Sequence, residues 1–432
     1  MRNTLSALQW AVFMIAGSIV APVAIASLFH MDPAMAAGFV QRTMFVLGVA
    51  GILQVTFGHR LPINEGPAGL WWGVFVLYAG LSSTLFGSDI ETLQALELAM
   101  IASGVIFILL SAFGLVEKLS RLFTPVVTGI YLLLLVAQLS GSFLNGMMGV
   151  GYLKEGIDLR IAGLSLLLVF ISIWFSRSMP AMIQQYSILI ILIIGWIIFA
   201  VLGLAKPIVV PEGGMIELPE VFAFGYPAWD SGMIITAFLV TLLLLTNMIA
   251  SIRVVEEVLN KLANTKPMGR YRQAGFVSGI NQLLGGFFSA VGSVPISGAA
   301  GFILTTGLKK RLPFVLGSGF IIIISLFPAL MGFFAALPEP VGYAVIFIVF
   351  VNMVGIAFNE FKKDQSEGKP FIIGISFMVG IGTMFIPPEA FQQAPPIAAS
   401  ILNNGLILGS ITAILTEQIL YKKHRNETSL SD

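Results

Sequence analysis

The chain of 432 residues is 57% hydrophobic and only 10% charged, with a mean hydropathy of +0.94, whereas a soluble globular chain carries about a quarter charged residues; a soluble enzyme is excluded. A formal net charge of +1 leaves no basic excess to neutralise a phosphate backbone, so nucleic acid is not an expected partner. The absence of cysteine removes disulfides, thiolate nucleophiles and Cys-metal sites together, and His30, His59 and His424 lie too far apart in sequence to suggest a metal site or proton relay.

A spanning helix needs roughly 20 mostly apolar residues. Cutting the sequence at charge clusters, prolines and polar runs predicts an all-α polytopic membrane protein with fourteen spans, at 6–28, 36–57, 64–83, 93–114, 120–140, 160–176, 182–203, 231–252, 272–292, 294–308, 313–335, 337–357, 370–387 and 393–421. The first is not a cleavable signal peptide, because its apolar run is too long and only Arg2 precedes it as a charge. Placing both termini in the cytoplasm puts all of the 23 Lys and Arg inside except Arg42, Lys154, Arg160 and Lys206, as the positive-inside rule requires. Residues 206–230, rich in Pro, Gly and acid, read as an extracellular linker between a first seven-span repeat over 1–205 and a second over 231–421, with 422–432 as a cytoplasmic tail.

Across that linker the chain repeats itself. Pro62-Ile63-Asn64-Glu65-Gly66-Pro67-Ala68-Gly69-Leu70 in the third span is echoed by Pro295-Ile296-Ser297-Gly298-Ala299-Ala300-Gly301-Phe302 in the tenth, with Glu65 as the extra residue. Seven spans per half force the halves into opposite orientations, and paired Gly/Pro-interrupted segments are the sequence pointer to a midplane site in inverted-repeat transporters. Proline breaks the helical ladder and glycine permits unusual dihedrals. The freed amides are tolerated at that depth only inside protein or along a cavity, and half-helices starting after Gly66 and Gly298 would aim their positive dipole ends into it.

The stretch Gly285-Gly286-Phe287-Phe288-Ser289, with Val294-Pro295, Gly301 and Thr305-Thr306-Gly307, resembles the signature region of the nucleobase-ascorbate transporters, the nucleobase:cation symporter-2 family. Leu61-Pro62 with Gly66-Pro67 resembles that family's third span. The resemblance implies fourteen spans in two inverted repeats, interleaved core and gate domains, short strand-plus-helix segments at spans 3 and 10, and a nucleobase held between them. It also implies import coupled to protons or sodium, often by homodimers, with no cofactor. The family's two side-chain anchors are absent: Gly298 stands at the Gln/Glu of the signature, with Ala299 at its Asn, and Asn247 stands at the eighth-span carboxylate, with Ala250 and Ser251 after it. Gln9-Trp10 replaces a common Gln-His pair.

The candidate substrate-binding residues are therefore Asn247, Ser251, Glu65, Gly69, Ser297, Gly298 and Ala299, and no metal ligands are assigned. Asn247 offers donors and an acceptor at mid-span, or serves as interhelical glue. Glu65 is the coupling candidate, since an intramembrane carboxylate marks function by default; alternatively it lies just cytoplasmic of the break, paired with His59 and Arg60. Ser297 is a ligand donor or the cap of the tenth half-helix. Trp71 and Trp72 offer stacking faces or act as packing residues, and Asn281-Gln282 reads as a helix link. The predicted function is a secondary transporter for a nucleobase, a purine foremost, with a small-anion carrier of the same architecture as the alternative. No nucleophile-base constellation, P-loop or metal spacing points to an enzyme.

Overall fold

A computed structural model describes residues 2–120, 122, 124–180, 183, 187–209, 214–263, 268–363, 368–387, 390, 402 and 405–429. In the first half the elements are α1 (Arg2–Ser18), α2 (Val20–Leu28), α3 (Pro33–Thr56), β1 (Glu65–Pro67), α4 (Gly69–Leu81), α5 (Asp89–Ala112), α6 (Val116–Ser120), α7 (Pro125–Met147), α8 (Leu159–Ser178) and α9 (Ser187–Val201). The second half follows with α10 (Ser231–Ala263), α11 (Tyr271–Phe287), β2 (Ser293–Pro295), α12 (Gly298–Thr306), α13 (Arg311–Ser325), α14 (Pro328–Ala335), α15 (Glu339–Lys363), α16 (Lys369–Met384) and α17 (Gly405–Ser429).

Local chemistry sets the helix starts. Asp32 accepts from the amides of Ala34 and Met35 ahead of Pro33 at the first position of α3, and Thr124 accepts from Val127 ahead of Pro125 in α7. Ser88 caps α5, whose first turn carries Asp89 and Glu91. Each supplies an acceptor for amides that have no intrahelical partner. Between α4 and α5 a π turn over Ser82–Phe86 ends at Gly87, whose φ of +85° no β-branched residue would adopt readily.

Among the described residues, five helices are able by length and composition to cross a membrane: Thr4–Leu28 (α1 with α2), Pro33–Thr56, Asp89–Ala112, Pro125–Met147 and Ser231–Leu262. Most of the other predicted spans correspond to shorter apolar helices. The span expected at 313–335 is two helices, α13 and α14, bent by 91°. Its breaker is Pro328, which starts α14 and cannot continue the ladder of α13. The last predicted span, 393–421, opens outside the described residues, as does Glu212 of the linker; α17 begins at Gly405.

The two halves pack as a pseudo-symmetric pair. α3 packs on α13 as α11 packs on α5, and α1 meets α13 as α10 meets α5. α7 and α15 pack on each other, α8 on α15 as α16 on α7, and α9 on α15 as α17 on α7. One helix set is thus α1–α5 with α10–α14, and another is α7–α9 with α15–α17. Glycines allow a close crossing: a Cβ on Gly104 of α5 would stand 2.7 Å from the Gly279 carbonyl of α11. The linker is no free tether. Gln41 donates to the Glu217 carbonyl, Gln94 to that of Phe224, and the Phe222 amide to that of Phe287, so it lies strapped across the ends of α3, α5 and α11.

Candidate functional site

The two chain interruptions meet. β1 and β2 form an antiparallel ribbon in the register Glu65↔Pro295, Gly66↔Val294 and Pro67↔Ser293. The Ala68 amide donates to the Gly292 carbonyl and the Ile296 amide to that of Asn64, each at 2.9 Å, extending the pairing one residue at each end. The arrangement is symmetric about Gly66 and Val294, as two inverted copies of one motif require. A Cβ on Gly66 would come within 2.7 Å of Ile296 Cγ1, so a larger residue there would have to displace the Ile296 side chain.

This register corrects the motif alignment drawn from sequence. Pro67 is the counterpart of Pro295, each ending its strand, and Glu65 is the counterpart of Ser293 rather than an inserted residue. The likeness of Pro62-Ile63 to Pro295-Ile296 is misleading, because proline's structural role here is to close a strand before a helix. The first half-helix accordingly starts at Gly69, not directly after Gly66.

α4 leaves one end of the ribbon and α12 the other, about 10 Å apart for three residues at ~3.4 Å each. Neither has a side-chain cap. The first amide of α4 to find a carbonyl is that of Trp72, on Ala68, and among the described residues no backbone carbonyl receives the amides of Gly69, Leu70 and Trp71. At α12 the amides of Ala299 and Ala300 turn back onto Ile296 and Ser297, so Ser297 and Gly298 present the open end. Ser297 and Gly298 are exposed and Ala299 is buried. A capping role for Ser297 is excluded: its backbone is helical and its hydroxyl bonds no helix amide.

Glu65 is buried at 2% exposure and in no ion pair among the described residues, so pairing with His59 and Arg60 is not its arrangement. Ser293, diagonally across the ribbon, is close enough to bear on the carboxylate, yet neither oxygen of Glu65 nor the Ser293 hydroxyl makes a hydrogen bond of proper geometry. Asn64 Oδ1, Trp10 Nε1, Trp72 Nε1, Ser251 Oγ and both polar atoms of Asn281 are likewise buried without partners among the described residues. Buried polar groups are normally satisfied. α10, which carries Asn247 and Ser251, packs against β2, α12 and α4. Asn247 is half-buried.

The tryptophans are assigned differently from a stacking pair. Trp71 is fully buried, and its Nε1 donates to Gln282 Oε1 at 2.8 Å, while Gln282 Nε2 donates to the Ser293 carbonyl at 2.6 Å. Gln282 therefore ties α4 to β2 through α11, a helix link as the sequence suggested, whereas its neighbour Asn281 has no hydrogen-bond partner among the described residues. Trp72 stands edge-on to Phe143 of α7 and Phe350 of α15. Sequence reasoning passed over the aromatic floor of α12: Trp10 and Phe13 both lie 4.4 Å from Phe302. It also passed over a buried charge cluster in which Arg42 Nε donates to the Ser289 carbonyl and the Ser289 hydroxyl to Glu97. Arg42 stacked over Phe224 locks this cluster under the linker. A lone Arg and a lone Glu within two apolar helices were the available signal.

Residues 1–389 match the sequence profile described as the Permease family. The chain is 46% identical over 437 residues to "Putative purine permease YwdJ" of Bacillus subtilis (strain 168), covering 100% of this chain and 99% of that protein. It is 26% identical over 458 residues to the xanthine permease of the same organism, covering 100% and 99%. Among solved structures, the transmembrane domain of the cyanobacterium bicarbonate transporter BicA superposes with a TM-score of 0.62 at 15% identity, over 96% of this chain and 98% of that one. The murine anion transporter Slc26a9, in its inward-facing state, gives 0.61 at 13%, over 96% and 68%. These two likenesses are of fold.

Proposed function

We propose that this chain, which belongs to the permease family and is a multi-pass membrane transporter rather than an enzyme, carries a purine nucleobase by alternating access with coupled proton or sodium symport. The observation that carries the reading is the β1–β2 ribbon, which holds two uncapped half-helix starts beside a buried carboxylate. A purine is planar and uncharged, with donors and acceptors along its edges. Open amides at Gly69 and Gly298 would donate to its ring nitrogens and carbonyl oxygens. Glu65 would accept from a ring N–H, and Asn247 would do either. Purine and xanthine permeases among the relatives support that substrate class.

In this reading fourteen membrane segments form the two repeats, with both termini cytoplasmic. α1–α5 with α10–α14 form a core that carries the ribbon, and α7–α9 with α15–α17 form a gate against which it moves. Glu65 is the coupling residue: with the family's two other acidic positions occupied by Asn247 and Gly298, it is the carboxylate nearest the guest. A small-anion carrier is the second reading, favoured by helix N-termini that attract negative charge. An unpaired carboxylate beside those termini opposes it.

The test is uptake of labelled hypoxanthine by cells lacking their own purine carriers, with guanine, xanthine, adenine, uracil, bicarbonate and sulfate as competitors. Competition by purines alone supports the proposal. Uptake of labelled sulfate or bicarbonate, unaffected by any base, would replace it with the second reading.

A further inference from the structure

The turn that feeds β1 collects positive charge from three elements. Arg60 Nε donates to the Thr56 carbonyl at 3.2 Å; Arg270, from the loop before α11, donates to the carbonyls of Phe57 and Gly58 at 3.0 and 2.9 Å. Arg311, opening α13, reaches Met268 Sδ at 3.8 Å, two residues from Arg270. Arg60 and Arg311 each press on Arg270 electrostatically, and none of the three forms a salt bridge among the described residues. The nearby carboxylate, Glu256, is occupied by the amides of Met268 and Gly269 and the Tyr271 hydroxyl. Nearby, Lys309 is spent on the Leu262 carbonyl and Arg272 on those of Ser111 and Ala112.

A second observation points the same way. His59 is 1% exposed, and its Nδ1 accepts from the Leu61 amide at 3.0 Å. The proton of the neutral ring is thereby placed on Nε2, a buried donor with no acceptor. Arg311 is the charged side chain that bears on it. Among the described residues, three guanidinium groups and an orphaned N–H all lack an anion. Phe57, 65% exposed, and Leu312, 54% exposed, flank the arginines where α3 ends and α13 begins, and so set an acyl-chain surface beside the charge.

We propose that Arg60, Arg270 and Arg311, above His59, form a binding site for the phosphate of an anionic phospholipid in the leaflet on that side. The site joins the lead-in to β1 with the segment that follows α12, so an occupied site braces both half-helix hairpins. This last step rests on the transport reading; the binding itself does not.

The binding test uses the purified full chain, delipidated and titrated with phosphatidylglycerol or phosphatidylcholine under native mass spectrometry. Arg60→Gln/Arg311→Gln is the chosen variant, because Arg270 holds two carbonyls at the end of α3 where Arg60 holds one and Arg311 none. Each arginine near an anionic membrane surface is worth about fivefold in affinity, so the double variant is expected to bind phosphatidylglycerol about 25-fold more weakly, with phosphatidylcholine binding unchanged. Equal phosphatidylglycerol retention by variant and parent would overturn the site. Uptake is then compared in vesicles of pure phosphatidylcholine and of phosphatidylcholine with one quarter phosphatidylglycerol. Stimulation by phosphatidylglycerol in the parent, lost in the variant, supports the bracing role. Stimulation of pure phosphatidylcholine vesicles by inorganic phosphate alone would reassign the site to a soluble anion. Absence of purine uptake with intact lipid binding would remove the transport reading and leave the lipid site standing.

Discussion

Gln282→Leu should damage the transporter far more than an ordinary apolar substitution at similar volume. The side chain is 1% exposed and makes two hydrogen bonds, from Trp71 Nε1 at 2.8 Å and to the Ser293 carbonyl at 2.6 Å. Leucine leaves an indole N–H and a carbonyl buried and unpaired, at about 1–3 kcal/mol each, or ~2–6 kcal/mol together. Both strain the same contact, the docking of α4 against β2, and Gly292 leaves no slack: a Cβ there would lie 2.3 Å from Trp71 Cδ1. If only ~1.4 kcal/mol of the loss falls on the liganded state, apparent purine affinity falls about tenfold. Concentration-dependent hypoxanthine uptake and thermal stability in detergent measure the two parts. Trp71→Phe removes one of the same bonds, so the two losses should fail to add by ~0.5–3 kcal/mol. A Gln282→Leu protein with unchanged KM, unchanged Tm and strictly additive behaviour would refute the reasoning.

Glu65→Gln should retain purine binding while losing the dependence of uptake on external pH, because the amide keeps the shape and discards the exchangeable charge; pH-dependent uptake at the parent level removes Glu65 from coupling. Asn247→Ala should raise KM by roughly tenfold, the loss of one or two neutral hydrogen bonds at ~0.5–1.5 kcal/mol each, with little change in expression; an unchanged KM would return Asn247 to interhelical packing. Burial, and then the Arg311 charge, push the His59 imidazole down to about 3. A group depressed in the fold contributes stability that is whole above its unfolded value near 6.5 and is lost as pH falls from there toward 3, about 2 kcal/mol by pH 5. Thermal unfolding of His59→Phe should accordingly lose less between pH 7 and pH 5 than the parent does; parallel losses would count against a neutral buried ring.

The fold was legible where physics acts on single segments. Apolar length marked the helices, and the helix-breaking prolines and glycines around Gly66 and Pro295 marked the two interruptions because helical hydrogen bonding cannot pass through them. The count of spans was less legible, since 313–335 is long enough for one helix yet Pro328 divides it. The register at the ribbon was misread for a different reason. Identity between Pro62-Ile63 and Pro295-Ile296 is a likeness of letters, whereas the inverted fold equates residues by position before a helix, and only the pairing of Glu65 with Pro295 reveals it. Gln282 and Ser293 could not be joined from sequence because their bond depends on how α11 returns over the ribbon. The Arg42–Ser289–Glu97 cluster escaped similarly: it is assembled from α3, α5 and the loop after α11, with no local spacing to announce it.

The chain's lack of cysteine makes the most direct test of the ribbon as binding site available. A single Ser297→Cys variant that retains uptake, placed at the exposed start of α12, is labelled with a membrane-permeant maleimide with and without saturating hypoxanthine. Slowing of the labelling by hypoxanthine, with an exposed Tyr226→Cys control in the linker unaffected, is the outcome expected if the base sits against the half-helix. Equal labelling rates with and without the base, in a protein that still transports it, would place the substrate elsewhere.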